Sequence, residues 1–316
     1  MATYNSVISR TDAAALIPEE ASREILQAIP AASAVLGKAR RLQNMQRNQF
    51  RLPVLSALPT AYFVSPADTG LKETTEVNWE NVTLTAEEIA CIVPIPENVL
   101  ADADYDIWSE IRPLIAEAFG AVIDAAMLVG TNAPSTWPDD LLAGATAAGH
   151  VVNEGSVGAD IFDDIMATGG VLNLVEADGF MVNGHLAHPT MKAKLRGLRD
   201  SQGSPIFVRS MQDGNRYELD GSPIEFPTNG SISAATALLF SGDWSQLVYS
   251  MRQDITYKIA TEGIIQNSGG TTIYNLFQQD MVALRCVMRL GFALPNPIRR
   301  MNQTAATRYP FAVLVP

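Results

Sequence analysis

The sequence predicts an α+β fold, on three observations: one long helical periodicity, two β-rich runs flanking a turn, and a continuous strand-like run late in the chain. With 316 residues and 47% hydrophobic content, the chain can bury a sizeable core as one elaborate domain or two modest ones.

The helix comes first because its signal is strongest. After Asp102 and Asp104, both suited to N-capping, apolar residues fall at Ile107, Ile111, Leu114, Ile115, Ala118, Phe119, Val122, Ile123, Ala126 and Met127. That is the spacing of one helical face, and at 1.5 Å per residue the helix runs roughly 35 Å. Pro113 either kinks it or starts its main segment, and Gly130 is placed to stop it. The hairpin is read from residues 60–64 and 77–93, which flank the turn-like stretch 65–70. Val77 and Trp79 alternate with Asn78 and Glu80, the period of a strand with two different faces. Arms of about a dozen residues would project on the order of 40 Å, further than a small domain needs for its own core. The late strand is the run 281–294, which follows a flexible-looking Asn267-Ser268-Gly269-Gly270, and a last strand at 311–315 closes the chain.

Elsewhere the signals are shorter. Residues 1–50 read as an extended arm with one short helix, entered at Pro18, continued by Leu26 and Ile29 and ended by Pro30. Between residues 131 and 275, helices are expected at 160–175 and 190–198, and extended segments at 180–182, 223–226 and 237–240. The first twelve residues lack the apolar core of a signal peptide, and the longest apolar stretch, 116–129, is interrupted by Glu117 and Asp124. The expectation is a soluble protein made in the cytoplasm, with no membrane association.

Net charge is −12, which argues against a surface that attracts phosphate backbones everywhere. The charge is also segregated. Residues 26–67 contain no acid yet hold Lys38, Arg40, Arg41, Arg47 and Arg51. Between residues 68 and 110 the pattern inverts: Asp68, Glu73, Glu76, Glu80, Glu87, Glu88, Glu97, Asp102, Asp104, Asp106 and Glu110 stand against Lys72 alone.

Residue types that would carry chemistry do not assemble into a site. Cys91 and Cys286 are far apart in sequence within apolar, strand-like runs and read as buried free thiols. His185 and His188 form an HxxH pair, but Pro189 follows at once and a strand-to-helix turn is the better reading. His150 is isolated, no glycine-rich phosphate loop follows a strand, and no Ser or Cys sits in a nucleophile-elbow context. The reading is a non-enzyme with no cofactor and no metal.

Ordered blocks along nearly the whole chain resemble a known family, the tailed-bacteriophage major capsid proteins with the Hong Kong 97-type fold. Ile92-Val93-Pro94-Ile95-Pro96-Glu97-Asn98-Val99-Leu100-Ala101-Asp102, leading into Tyr105-Asp106-Ile107-Trp108, is similar to that family's passage from an extended loop into its spine helix. Ile123-Asp124-Ala125-Ala126 through Gly130-Thr131-Asn132 to Pro134 resembles the exit from that helix. Pro189-Thr190 with Leu195, Leu198, Asp200, Gly203 and Pro205, the Gly242-Asp243-Trp244-Ser245 turn and the strand 280–292 resemble later blocks.

The resemblance implies an N-terminal arm (1–50), an extended loop hairpin (51–95), a peripheral domain with a long spine helix (96–130) and late strands (276–316), and an axial domain (131–275). It further implies pentamers and hexamers tiling an icosahedral shell around double-stranded DNA, bound without sequence specificity. A separate scaffolding protein, a portal and a decoration protein are the other partners such a shell uses. The nearest alternatives are an encapsulin-like or gene-transfer-agent shell subunit; an acidic α+β enzyme is the remote one. The expected inter-subunit residues are Arg40, Arg41, Arg47 and Arg51 on the basic side, with Lys72, Glu73, Glu76, Trp79 and Glu80 on the hairpin. Some members carry a lysine near the loop tip that bonds covalently to a neighbour's asparagine. Lys72 is placed there, but Asn296 and Asn302 are not matched acceptors, so a noncovalent shell is expected.

Overall fold

A computed structural model describes residues 33–64, 72, 74–102, 106–158, 160–199, 202, 207 and 217–316. The helix expected between Pro18 and Pro30, the turn 65–70, Glu73 and Asp104 lie outside the described residues. In chain order the first elements are α1 (Ala34–Lys38), β1 (Arg40–Arg41), β2 (Gln49–Ala57), β3 (Asn78–Thr85), β4 (Glu87–Pro96), α2 (Glu97–Asp102) and α3 (Ile107–Val129). Next come α4 (Leu141–Ala148), β5 (Val151–Asn153), α5 (Ile161–Met166), α6 (Val171–Ala177), β6 (Gly184–Ala187), α7 (Met191–Gly197), β7 (Tyr217–Leu219), β8 (Ser222–Glu225) and β9 (Leu239–Gly242). A single 3-10 turn (Trp244–Gln246) leads to β10 (Val248–Ala260), β11 (Ile264–Gln266), β12 (Thr272–Asn275), β13 (Met281–Ala293) and β14 (Phe311–Val315).

The long helix is α3. Its N-cap is Asp106, whose carboxylate accepts from the Trp108 amide at 3.2 Å; Asp102, expected to cap it, instead ends α2. Pro113 lies inside the helix and does not start it, and Gly130 ends it at φ 68°, the left-handed conformation that only glycine adopts at little cost. Ile115, Phe119, Ile123, Ala126 and Met127 share one core with Leu284, Cys286, Met288, Leu290 and Phe292 of β13. A period of 3.6 on the helix thus meets a period of two on the strand.

That strand belongs to a four-stranded sheet ordered β1-β10-β13-β4. β13 pairs antiparallel with β4 in unbroken register from Met281↔Pro96 to Leu290↔Glu87, and with β10 across two register shifts. β10 was not anticipated. Its bulges between Met251 and Thr256 break the alternation by which a strand is recognised, and Arg252, Gln253, Asp254 and Lys258 dilute its apolar content.

A second sheet has six strands ordered β5-β14-β9-β6-β8-β7. Along β14, Phe311 and Val313 enter the core that contains α3, while Ala312 and Leu314 enter another with Ile165, Val175, Met191 and Leu195 of α5, α6 and α7. The sheet is therefore covered on both faces, and successive residues of one strand serve different cores. The expected helix 160–175 is broken at Gly169, whose φ is 87°, so α5 and α6 are separate; the extended segment 180–182 precedes β6 and is not a strand. The 267–270 stretch is an ordered turn between β11 and β12, where Asn267 Oδ1 accepts from the Gly269 and Thr271 amides at 3.0 and 2.9 Å.

Sheet pairing joins strands from different stretches of the expected division. All of β4 but Pro96 lies in the 51–95 stretch and β10 in the 131–275 stretch, yet both pair with β13; β14 lies in the 276–316 stretch, yet joins the six-stranded sheet. The hairpin itself is β2 with β3, from Gln49↔Thr85 to Ala57↔Asn78. The 60–64 run is not a strand, and the 77–93 run is two strands parted at Ala86. Gly291 permits this crossing, since a Cβ there would stand 2.5 Å from the Thr85 carbonyl oxygen.

Candidate assembly surface

The buried packing of the hairpin is at its base. Leu84 is buried with Val248 and Ala293, and Leu42, Phe50, Leu52 and Val82 pack around them. Beyond Val82 the strand loses cover on both faces at once: Asn78, Trp79, Glu80 and Asn81 are all exposed. Arms of nine and eight residues span about 30 Å, shorter than the 40 Å expected because the first arm begins at Gln49 and the second ends at Thr85. Past the strand ends the chain stays drawn together, with Thr75 Oγ1 accepting from the Thr60 amide at 2.9 Å. Trp79, opposite Leu55, is 65% exposed and Phe63 is fully exposed. Phe63 was read as part of a strand; its free ring is the feature that reading missed.

The expected basic residues all lie at the surface. Arg40 and Arg41 form β1, pairing parallel with Val248 and Tyr249, while Arg47 follows in the loop and Arg51 sits in β2 opposite Thr83. The structure adds Arg252 and Arg289, which donate to Asn48 Oδ1 at 3.0 and 3.2 Å and so bring further positive charge beside Arg47. Among the described residues none of these six arginines is in an ion pair within the subunit. Lys72, Glu76 and Glu80 are exposed too, Glu76 accepting from Asn78 Nδ2 at 2.7 Å.

What positions these surfaces is internal. Asp124 of α3, which sequence reading took as an interruption of an apolar stretch and as part of the block at the helix exit, is fully buried and accepts from Ser33 Oγ (2.6 Å), the Ala34 and Val35 amides (3.0 and 3.2 Å) and Asn229 Nδ2 (2.8 Å). Burial raises its pKa, and those four hydrogen bonds pull it back. It ties the start of α1 to the long helix immediately before Arg40. The segment 295–308, which had no sequence-level role, runs beside the hairpin: the Ile298 amide donates to Leu55 O at 3.3 Å and Arg300 Nη2 to Pro59 O at 2.9 Å. A second exposed apolar group, Ile264, Ile273 and Phe277, lies on and just after the β11–β12 ribbon.

The histidines do structural work. His185 is buried between Ser241 Oγ (2.8 Å) and the Leu219 carbonyl (3.1 Å), and His188 Nδ1 bonds Thr190 Oγ1 (2.8 Å) in the turn between β6 and α7. Among the described residues no group of three or more His, Cys, Asp or Glu could hold a metal, and no helix is long and apolar enough to cross a membrane. In the Gly242-Asp243-Trp244-Ser245 turn, Asp243 Oδ1 accepts from the Ser245 amide at 3.1 Å and from Asn183 Nδ2 at 2.8 Å, and Trp244 packs edge-on to Phe311 at 5.1 Å.

The model of the phage capsid family matches residues 13–299. The major capsid protein of Staphylococcus phage 80alpha is 29% identical over 242 residues, covering 75% of this chain and 69% of that protein. Among solved structures, one from Microbacterium phage Oxtober96 superposes with a TM-score of 0.83 at 38% identity, covering 98% of this chain and all of that one. One from Mycobacterium phage Bobi gives 0.82 at 32%, covering 98% and 99%. The capsid of an empty GTA particle shares the fold at a TM-score of 0.66 and 16% identity, covering 97% of each chain. A chain that the family model matches over nearly its whole length belongs to the phage capsid family, as a shell subunit of the major-capsid-protein kind.

Proposed function

We propose that this subunit tiles an icosahedral shell as pentamers and hexamers around packaged double-stranded DNA, and that the β2–β3 hairpin clamps a neighbouring copy. The observation that carries this is β3, whose outer half is exposed on both faces around Trp79. A strand that leaves both faces uncovered gains nothing for its own core, whereas a desolvated Trp is among the strongest interface anchors. The exposed arginines 40, 41, 47 and 51 meet the acidic hairpin and loop of an adjacent subunit, among them Glu73, Glu76 and Glu80, with Lys72 an ordinary exposed cation. Complementary patches of this kind set register and steer encounter more than they add affinity. Synthesis in the host bacterial cytoplasm, a separate scaffolding protein, a portal and a decoration protein complete the reading.

Electron microscopy of purified particles tests it. Closed shells of uniform diameter with nucleic-acid density inside are expected. A monomer in solution, or shells filled with protein cargo, would overturn it.

A further inference from the structure

Cys91 and Cys286 lie 195 positions apart in sequence and face each other directly across the β4–β13 ladder. Directly opposed residues in an antiparallel pair share a face of the sheet, and their Cα atoms lie roughly 4.5–5.5 Å apart, inside the range that a disulfide spans. Both thiols are free, and they differ in access: Cys286 is fully buried beside Leu284 and Met288, while Cys91 is half-buried. We propose that this pair is an oxidative modification site, closing to an intramolecular disulfide that pins β4 to β13.

Hydrogen peroxide serves as the two-electron oxidant. The Cys91 sulfur attacks one peroxide oxygen, the O–O bond breaks, and a sulfenic acid and one water result. The Cys286 sulfur then displaces the sulfenic hydroxyl, which leaves with a proton as the second water, so two thiols and one peroxide become one disulfide and two waters. The order follows from access. Burial, and secondarily the neighbouring Cys91, pushes the Cys286 thiol up to about 11, so it is a poor first nucleophile and suits the resolving step.

The consequence concerns the hairpin. β4 begins two residues after β3 ends and runs directly into α2, so a bond at Cys91 fixes the root of the hairpin to an interior strand of the sheet. It also closes a loop of nearly two hundred residues, which removes much freedom from the unfolded chain. The inference concerns the folded subunit and stands whether or not the particle encloses DNA.

Purified subunits or shells are treated with hydrogen peroxide and followed by intact mass, non-reducing gels and thermal melting. The expected result is a mass lower by two hydrogen atoms per subunit, a linked peptide containing both cysteines, and a melting temperature raised on the order of 5 °C or more, reversed by a thiol reductant. Cys91→Ser and Cys286→Ala should each abolish the mass loss, and the wild-type linked peptide decides the matter even if either variant folds poorly. Gain of oxygen atoms without hydrogen loss, disulfide-linked dimers, or no reaction in intact protein would each overturn the proposal.

Discussion

His185 carries the clearest pH consequence of any single side chain. Its ring is fully buried in the six-stranded sheet; Nε2–H donates to the Leu219 carbonyl and Nδ1 accepts from Ser241. Burial, which outweighs that hydrogen bond, holds its pKa down at about 4 from an ordinary 6.5. The unfolded chain therefore takes up a proton near pH 6.5 that the folded subunit refuses until about pH 4, so stability is complete above that window and falls as pH drops through it. The loss is about 1.4 kcal/mol per unit of pH. His150 acts in the same direction, burial outweighing the Asp178 carboxylate 3.3 Å away. Urea midpoints of the unassembled subunit should fall between pH 7 and 5.5, and His185→Gln should be less stable at pH 7 but shallower in slope; an unchanged slope would show that His185 titrates normally. Lys72 gives the other residue-scale expectation. Asn296 and Asn302 are engaged within their own subunit, their amides donating to Arg308 O at 2.7 Å and Asp178 Oδ1 at 2.6 Å, and a noncovalent shell is the expectation. Particles boiled in detergent under reducing conditions should run as one band near 34.1 kDa, whereas a ladder lost in Lys72→Ala would reveal a covalent link.

At the scale of elements, the hairpin and the long helix were legible to different degrees. The helix announced itself because all its evidence is local: each turn repeats the same apolar face. The hairpin was half-legible. Its second arm was located through the alternation around Trp79, but its first arm was placed at 60–64 instead of Gln49–Ala57, where Arg51 and Pro53 disguise a strand whose partner lies more than twenty residues on. Trp79→Ala tests what the hairpin does. Removing a side chain that is 65% exposed should change subunit stability by no more than about 0.5 kcal/mol, yet weaken each contact in the shell by roughly 2 kcal/mol. The expected outcome is an unaltered melt of the free subunit together with shells that dissociate at lower denaturant. A subunit that no longer folds would assign Trp79 to its own core.

For the whole molecule the charge inversion sets the expectation. Individual exposed ion pairs contribute at most about 1 kcal/mol and are screened by salt, so the basic edge acts collectively. Reversing Arg40 and Arg41 to Glu should cut assembly yield at low ionic strength, with the gap between variant and wild type narrowing as salt is raised. Unchanged yield removes the proposed contact. Normal empty shells with reduced packaging would place these arginines against DNA instead.

The long helix, the late strand, the charge segregation and the resemblance to a capsid family were legible before any folding, because each is written in neighbouring residues or in blocks kept in order. Which strands share a sheet was settled by long-range pairing. β10 became a strand because β13 offers it ten paired positions, β14 joined the six-stranded sheet across the chain, and Asp124 became the acceptor for α1 only when Ser33 and Asn229 were brought to it. Two cysteines that seemed unrelated came to face one another for the same reason. A periodic pattern reports how a segment will bury one of its own faces; it carries no information about which distant segment supplies the hydrogen bonds, and that choice is made by the collapse of the whole chain.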